Sequence, residues 1–279
     1  MPEPLIRNIS DTARWVAVYR AWETERADAV FRDPFARRLA GERGEQIAAT
    51  MPFKNAWPFI ARTWAFDHFI SQEVERGVDV VVNLAAGLDA RPYRMKLPAS
   101  LQWIEVDLPD LLTYKEETLG SEKPVCKLER IRLDLADVPA RRELFQQIAG
   151  RGKRVLVVTE GLIGYLTDDE VGMFAQDLAV PPSFQRWILD IGSPGLLRVL
   201  RKRMPSLADS GVPLKFAPEA GPDFFRPYGW RCIEVRSMIK TAAKIKRLSF
   251  LLRLIALLPE SKGRQGNKPW SGVCLMERT

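Results

Sequence analysis

The length, composition and charge of the chain exclude several classes of protein. Its 279 residues are 46% hydrophobic and 28% charged, which supplies enough apolar material for a sizeable buried core. The longest apolar run, 250–258, is interrupted by Arg253 and is far shorter than the ~20 residues that a membrane-spanning helix needs. The segment MPEPLIRNIS has no apolar stretch of the kind found in signal peptides, so no secretory signal is expected.

The net charge of +7 is concentrated in one segment. Residues 238–268 contain one acid, Glu260, and eight cations: Lys240, Lys244, Lys246, Arg247, Arg253, Lys262, Arg264 and Lys268. The rest of the chain is therefore balanced, which argues against a nucleic-acid-binding surface. The stretch 239–258 is predicted to form one helix with a basic and an apolar stripe. Such a helix can pack with a solvated basic face, or serve as a lid, a dimer face or a patch for an anionic membrane or acidic substrate.

The few cysteine and histidine residues argue against metal and disulfide chemistry. Cys126, Cys232 and Cys274 are far apart and lack CxxC spacing, so neither a disulfide framework nor a zinc site is expected. His68 is the only histidine in the chain, which also weighs against a histidine-rich metal centre. No metal site is predicted, and the protein is expected to be cytoplasmic.

Short β-branched runs alternate with helical patterns along the chain. The predicted strands are 78–84, 102–106, 129–133, 154–159, 185–190, 231–236 and 273–277. The predicted helices are 11–25, 33–49, 58–76, 108–119, 139–150, 168–178, 194–203 and 238–257. This alternation predicts an α/β fold with a mostly parallel sheet. The N-terminal helices and the 195–229 region are expected to cap the carboxyl ends of the strands, where ligands bind in open α/β sheets.

The turn after the first predicted strand reads Ala85-Ala86-Gly87-Leu88-Asp89. A glycine there lets the backbone approach a ligand closely, although the pattern is neither GxGxxG nor a phosphate-binding loop. Asp107 ends the second strand, 20 residues after Gly87, which is the separation expected for a carboxylate that accepts the hydroxyls of a ribose. The alternative for the first segment is an ordinary strand-to-helix turn. The alternative for Asp107 is a cap of the helix that follows it.

Two further acids follow the third and fourth predicted strands. The Asp134 carboxylate and the Leu135 backbone N–H can both bind an adenine ring. The alternative is that Asp134 is an ordinary acidic residue of a loop. Glu160 directly follows an apolar strand, and burying it unpaired would be costly, so we expect a ligand or a basic partner there. Tyr165 and Trp15 are candidates for lining a reaction cleft. His68 is expected to be structural, and no catalytic base is assigned.

Six segments together resemble the leucine carboxyl methyltransferase family and its bacterial branch of small-molecule O-methyltransferases. They are TARWVAVYRAWETERADAVFRDPFARRLAG (12–41), ARTWAFDHF (61–69), NLAAGLDARPYR (83–94), WIEVDLPDLLTYK (103–115), DLAD (134–137) and EGLIGYL (160–166). The resemblance implies a class I Rossmann-like methyltransferase with a seven-stranded sheet and S-adenosylmethionine as methyl donor. The order of the predicted elements indicates a single domain with an N-terminal helical cap (1–77), a cofactor-binding core (78–193) and cap or insertion segments (194–229 and 238–268).

The resemblance also implies roles for individual residues. It implies that Arg62 binds the cofactor's carboxylate, that Ala85 through Gly87 lie under its methionine part, and that Glu160 lies near its amino group. It implies that Asp107 binds the ribose and that Asp134 and Leu135 meet the adenine. By the same resemblance, Arg14 belongs to an N-terminal motif that closes over the site. The family usually reads GAGLD, with a glycine where this chain has Ala85. The added methyl group is expected to weaken or shift cofactor binding, while Gly87 and Asp89 keep the site in place.

The function predicted from the sequence is S-adenosylmethionine-dependent O-methylation of a carboxylate or phenol of a small molecule, with S-adenosylhomocysteine as product. A carboxylate is already ionised at neutral pH, whereas a phenol would benefit from a base. The alternatives are methylation of a protein C-terminus and a non-catalytic S-adenosylmethionine-binding protein with a degraded site. A nicotinamide-dependent oxidoreductase would need the GxGxxG pattern, which the sequence lacks.

Overall fold

A seven-stranded sheet lies at the centre of the computed structural model, which describes residues 9–51, 56–203, 213–259 and 266–279. The strands are β1 (Val80–Leu84), β2 (Gln102–Asp107), β3 (Lys127–Arg132), β4 (Val155–Thr159), β5 (Phe184–Gly192), β6 (Trp230–Ser237) and β7 (Ser271–Arg278). Their order is β3-β2-β1-β4-β5-β7-β6, and β7 runs antiparallel to both of its neighbours. The predicted mostly parallel sheet is confirmed, and each predicted strand overlaps an observed one.

The strand order reverses between β1 and β4, which pair in parallel at the middle of the sheet. The chain runs from β1 outward to β2 and β3 on one side, and from β4 outward to β5 on the other. Every residue of β1 and β4 is buried, which explains their continuous apolar sequences. In open α/β sheets a ligand crevice forms at this reversal, beside the carboxyl ends of the strands.

Helices cover both faces of the sheet. They are α1 (Ile9–Thr24), α2 (Ala36–Thr50), α3 (Trp57–Glu75), the one-turn α4 (Arg91–Arg94), α5 (Pro109–Leu119), α6 (Val138–Ala149), α7 (Asp168–Ala179), α8 (Pro194–Arg203), α9 (Met238–Lys244) and α10 (Phe250–Ala256). Apolar residues of α1, α2, α3 and α9 form one buried cluster with Val81 of β1. Residues of α6 and α7 form a second cluster with Val80 and Val82, on the opposite face of the same strand.

The helices that lead into the site begin and end at recognisable residues. Pro58 lies in the first turn of α3, where its missing N–H costs nothing, and Gly77 follows the helix with a φ of 94°. Helix α7 begins with a capping box, because Thr167 accepts a hydrogen bond from Glu170 N–H and the Glu170 side chain accepts one from Thr167 N–H. Where α3 ends and α7 begins therefore determines how long the connections to the neighbouring strands are.

The prediction of one helix over 238–257 is wrong, because the structure has the two short helices α9 and α10 there. Lys246, between them, has a φ of 60°, which a continuing helix cannot accommodate. The break turns Arg247 inward, where Nη2 donates to Glu23 Oε1 at 2.7 Å. Arg247 therefore does not share a solvated basic stripe with Lys244, and its ion pair with α1 stabilises the break instead.

Parts of the expected cap and insertion lie outside the described residues, namely 1–8, 52–55, 204–212 and 260–265. Three of the charged residues counted in the basic segment, Glu260, Lys262 and Arg264, are among them. Within the ranges that the structure describes, no helix has both the length and the apolar character needed to cross a bilayer.

Candidate functional site

A cavity of about 540 Å³ lies at the carboxyl ends of β1, β2, β4 and β5. Its volume falls within the range of small-molecule binding sites. Polar lining residues come from the strand ends, and the helices α1, α3 and α8 close the other sides. The site residues predicted from the sequence that line it are Trp15, Arg62, Ala85, Gly87, Asp89, Asp107, Glu160 and Tyr165.

The turn after β1 contains two residues in the left-handed backbone region. Ala85 and Gly87 both have a φ of 53°, and Ala86 N–H donates to Val106 O at 3.2 Å. A non-glycine residue in this region costs about 1–2 kcal/mol because Cβ approaches the following carbonyl oxygen. A Cβ added to Gly87 would meet Ala13 Cβ at 3.5 Å and Ala85 O at 4.0 Å, both ordinary contact distances. Backbone conformation, and not lack of space, therefore favours glycine at both positions, and Ala85 carries the strain.

Asp107 joins the turns that follow β1 and β2. Its Oδ2 accepts from Gly87 N–H at 2.6 Å and its Oδ1 accepts from Leu108 N–H at 2.7 Å. Burial raises the pKa of the Asp107 carboxyl above its ordinary value, although these two hydrogen bonds oppose the rise. A carboxylate offers about four lone-pair positions. Asp107 therefore keeps acceptor capacity toward the cavity that it lines.

Glu160 lies between two arginines. Arg62 Nε donates to Glu160 Oε1 at 3.0 Å, and Arg91 Nη2 lies 2.8 Å from Oε2. Glu160 is half-buried, and it has the basic partners that the sequence predicted as one of two options, the other being a ligand. Burial disfavours the charged form of Arg62, but the carboxylates around it outweigh this effect and raise its pKa. Arg62 donates to Glu160 through Nε and to Asp190 through Nη1. Its third nitrogen, Nη2, has no hydrogen bond to any described residue.

Asp190 near the end of β5 is a lining residue that the sequence reasoning missed. Its Oδ1 accepts from Gly161 N–H at 2.7 Å, and its Oδ2 lies 3.4 Å from Arg62 Nη1. Burial raises the pKa of Asp190, and the Arg62 charge opposes the rise. The signal was present, because the fifth predicted strand ended at this acid, as the second ended beside Asp107. Arg91 was also missed as a charge partner of the site.

Asp89 is held by protein groups. It accepts from Asn83 Nδ2 at 2.8 Å, Arg91 N–H at 2.8 Å and Arg91 Nη1 at 3.0 Å. Burial alone would raise its pKa, but the charge of Arg91 and of the more distant Lys115 and Arg94 lowers the pKa of Asp89 to about 2. This carboxylate is therefore ionised at neutral pH, and it fixes the path of the chain between β1 and α4.

Three of the predicted site residues lie outside the lining of the cavity. Asp134 is exposed, and its carboxylate accepts from Ala136 N–H at 2.9 Å in the turn before α6. Leu135 is half-buried, and its carbonyl oxygen accepts from Arg141 at 2.8 Å. Arg14 stacks on the ring of Tyr114, with the guanidinium carbon 3.6 Å from the ring centroid.

His68 is exposed on α3, where its ring stacks on Trp64 at 3.6 Å and its Nδ1 lies 2.9 Å from Trp64 O. It does not line the cavity. Tyr165 and Trp15 do, and burial raises the pKa of Tyr165 above its ordinary value. Thr63 also lines the cavity, and its buried hydroxyl has no hydrogen-bond partner among the described residues. A ligand that reaches this part of the wall can satisfy that hydroxyl.

The wall of the cavity away from the strand ends is apolar. Its members come from α8, the chain after residue 213 and the two short helices: Leu196, Leu197, Leu200, Leu214, Phe216, Met238 and Leu252. Arg203, at the end of α8, lines the cavity and is exposed, so it lies where the cavity meets solvent. The cavity thus has one half with paired charges at the strand ends and one half suited to an apolar molecule.

Known proteins resemble this chain over most of its length. The model of the leucine carboxyl methyltransferase family matches residues 13–178. A protein of Streptomyces coelicolor that is assigned as an S-adenosyl-L-methionine-dependent methyltransferase is 32% identical over 67% of this chain and 70% of its own length. A second protein with that assignment, from Frankia alni, is 30% identical over 85% of this chain and 88% of its own length.

Solved structures share the fold at low sequence identity. A DUF574 family protein from Streptomyces avermitilis aligns with a TM-score of 0.60 and 13% identity, covering 94% of this chain and 97% of that one. A protein from Thermobifida fusca assigned as a methyltransferase aligns with a TM-score of 0.56 and 13% identity, covering 96% and 94%. The sheet order, the family match and these relatives agree. The chain belongs to the leucine carboxyl methyltransferase family and is an S-adenosylmethionine-dependent methyltransferase with a Rossmann-like fold.

Proposed function

We propose that the protein transfers the methyl group of S-adenosylmethionine to an oxygen atom of a small, largely apolar acceptor, and that this oxygen belongs to a carboxylate or a phenol. One observation carries the proposal. The charged half of the cavity, at the strand ends, continues into an apolar half lined by α8 and α10. A polar cofactor fits the first half, and an apolar molecule fits the second.

The residues at the strand ends suit the cofactor. Asp107 keeps acceptor positions for the ribose hydroxyls, and Arg62 keeps Nη2 for the cofactor's carboxylate. The connected ion-pair network beside the cavity has one carboxylate more than it has guanidinium groups. Its members are Arg20, Arg62, Arg91 and Arg94 with Asp33, Asp67, Asp89, Glu160 and Asp190. S-adenosylmethionine carries a sulfonium, an ammonium and one carboxylate, so its net charge is positive. The excess negative charge of the network complements it. Asp134 and Leu135 stay predictions for the adenine end.

The segments around the core act as a cap in this proposal. Helices α1 and α3, within residues 1–77, contribute Trp15, Phe59 and Arg62 to the cavity lining. Helix α8 and Leu252 come from the segments 194–229 and 238–268. These parts exclude water from the sulfonium and orient the acceptor, whereas 78–193 supplies the turns that hold the cofactor. Arg14 contributes to closure through its stack on Tyr114, which ties α1 to α5.

The chemistry needs positioning more than proton transfer. When bound, S-adenosylmethionine supplies an electrophilic methyl group. The apolar wall would hold the acceptor oxygen about 3 Å from the methyl carbon, opposite the sulfur. Glu160 is neutralised by two arginines, and the raised pKa of Tyr165 keeps its hydroxyl protonated near pH 7, so neither serves as a ready base. These groups favour a carboxylate acceptor, which needs no base, over a phenol.

Acceptor chemistry is tested with S-adenosylmethionine whose methyl group is deuterated. The protein is incubated with apolar carboxylic acids and with phenols of matched size, and products are followed by mass spectrometry before and after mild base. A carboxylate acceptor gives a methyl ester that base cleaves, and a phenol gives an ether that survives. Label found in neither class would overturn the proposal.

Ala85, with its strained backbone, is the observation that favours a non-catalytic second candidate. Calorimetry with S-adenosylmethionine, with NAD as the negative control, separates the two candidates. Binding of S-adenosylmethionine without transfer to any acceptor would assign the protein to this second class. Binding of NAD instead would contradict both.

A further inference from the structure

Helix α10 and the two residues after it expose an unusually large apolar surface. Phe250 is 73% exposed, Leu251 72%, Leu257 80% and Leu258 61%, and Leu254 and Ile255 are half exposed. We call these six residues the α10 patch. Single exposed apolar residues are ordinary, but a contiguous patch of this kind marks an interaction site. Within α10 the buried residue is Ala256, so most of the helix's apolar side chains face outward.

Three exposed cations lie within α10 or shortly before it in the chain. Lys244, Lys246 and Arg253 are exposed, and no carboxylate in the described ranges forms an ion pair with them. Arg247 is different, because its guanidinium is held by Glu23 and Asp28. An exposed apolar surface, with neighbouring lysine and arginine side chains that have no acidic partner among the described residues, has the chemistry of a segment that lies in the interface of an anionic bilayer.

A second copy of this chain fits the patch poorly. A two-fold interface places the same surface of both subunits face to face, so each copy would meet a surface that also carries exposed cations. Like charges brought together across an interface are strongly unfavourable. A stable interface also uses about 20–30 residues a side, far more than the six of the α10 patch.

The helix that carries the patch also contributes to the cavity wall. Leu252, on the inner side of α10, lines the apolar half of the cavity together with Leu200 and Arg203 of α8. Helix α8 ends in three exposed cations, Arg201, Lys202 and Arg203. A membrane beside α10 would therefore adjoin the place where the cavity meets solvent.

We propose that the α10 patch docks the protein on the surface of anionic lipid bilayers. The apolar side chains enter the boundary between headgroups and acyl chains, while Lys246, Arg253 and the cations at the end of α8 meet the headgroup phosphates. Resting on the proposed function, the inference adds that the acceptor is a lipophilic carboxylic acid or phenol, which reaches the apolar half of the cavity from the bilayer.

The test uses the full chain and sedimentation with vesicles of phosphatidylcholine, alone or mixed with phosphatidylglycerol. We expect binding to the anionic vesicles that weakens with added salt. The double variant Leu251→Gln/Leu257→Gln should lose about tenfold or more of this binding, and Lys246→Glu/Arg253→Glu should lose a similar amount. The control Met173→Gln/Val180→Gln changes two residues that are exposed by 45% and 59% on the opposite face of the sheet, and it should bind as the wild type does.

Three readouts keep the inference falsifiable. Affinity for S-adenosylmethionine, measured by calorimetry, reports whether each variant is folded. Equal binding to neutral and anionic vesicles, or binding that survives both patch variants, overturns the inference. A dimer seen by light scattering that Leu251→Gln/Leu257→Gln dissociates assigns the patch to a second copy and also overturns it. Transfer to water-soluble acceptors without vesicles tests the proposed function separately.

Discussion

The carboxylate of Asp107 accepts a hydrogen bond of 2.6 Å from the backbone N–H of Gly87, across two strands that are neighbours in the sheet. Its other oxygen fixes the first residue after β2. The group predicted to hold the ribose is therefore also the group that shapes the turn beneath the cofactor. Substitutions at Asp107 must be judged by affinity and by stability in separate measurements.

The first prediction concerns Asp107→Asn. The amide keeps the size of the side chain, but it replaces one acceptor oxygen with a donor that faces either Gly87 N–H or Leu108 N–H. Hydrogen bonds to charged groups contribute about 1.5–3 kcal/mol, so affinity for S-adenosylmethionine should fall by roughly 10- to 100-fold. Calorimetric titration measures the loss, and denaturant unfolding measures the accompanying change in stability.

Asp137→Asn is the matched control for that variant. Asp137 precedes α6, and its Oδ1 accepts from Ala140 N–H at 3.1 Å, outside the cavity lining. Asparagine is also a good helix cap, so the unfolding free energy should change by only a few tenths of a kcal/mol. Affinity for S-adenosylmethionine should remain that of the wild type. An equal loss of affinity in both variants would argue against a ribose role for Asp107.

The second prediction concerns Gly161→Ala. Gly161 has a φ of 70°, and a Cβ there would lie 3.1 Å from Arg62 Nη1. The new methyl group strains the backbone and pushes Arg62 away from Asp190, so we expect a loss of about 1–2 kcal/mol in stability. Affinity for S-adenosylmethionine should fall as well, because the guanidinium is displaced from its position.

Gly150→Ala provides the comparison. Gly150 ends α6 with a φ of −80°, and an added Cβ would meet only Gln147 O, at 3.8 Å. Stability should be unchanged or rise by up to about 1 kcal/mol, since alanine restricts the unfolded chain. Urea unfolding and calorimetry on both variants check the pair. If Gly161→Ala leaves affinity unaltered, Arg62 does not contribute to the cofactor site.

The third prediction concerns Ala85→Gly. Its φ of 53° costs alanine about 1–2 kcal/mol, and glycine's greater freedom in the unfolded chain offsets part of the gain. Stability should therefore rise by roughly 0.5–1 kcal/mol, and affinity for S-adenosylmethionine should not fall. Ala140→Gly, in helix α6, should instead lose about 0.5–1 kcal/mol. Thermal unfolding measures both changes in stability. A change of the same sign in both variants would show that Ala85 is not strained.

The fourth prediction concerns acid stability. The folded-state pKa of Asp89 is about 2, below its ordinary value of 3.8, so its stabilisation is present above pH 3.8 and is lost as the pH falls through 2. The shift corresponds to about 2 kcal/mol at neutral pH. The stability difference between wild type and Asp89→Asn should shrink by about 1 kcal/mol from pH 6 to pH 3. A difference that stays constant over this range would show that the Arg91 pairing does not depress the pKa of Asp89.

The sequence was sufficient for the sheet because buried strands carry a local signal. The apolar run at β1 and the Pro58 and Gly77 boundaries of α3 depend on near neighbours, and the structure confirms them. The break between α9 and α10 depends on Glu23, which lies 224 positions before Arg247 in the chain. No pattern within residues 238–258 contains that partner, so periodicity alone predicted one continuous helix.

The site divides in the same way. Acids at the ends of parallel strands must meet at one edge of the sheet, and Asp107 and Glu160 line the cavity as expected. Which partner each acid takes depends on side chains from other elements, such as Arg62 on α3 and Arg91 on α4. The same rule applied to the fifth strand would have found Asp190. The apolar half could not be predicted, because its leucines look like those of any packed helix.

The position of β7 between β5 and β6 has a consequence for synthesis. Strand β6 joins the sheet through β7, so after Ser237 leaves the ribosome it has no pairing strand until residues 271–278 follow. At 5–20 residues per second, the intervening residues 238–270 take roughly 2–7 s to make. During that interval the edges of β5 and β6 are open, and the chain being made is the basic segment that contains α9 and α10, between β6 and β7. The nascent protein is therefore most exposed to mispairing just before its sheet closes.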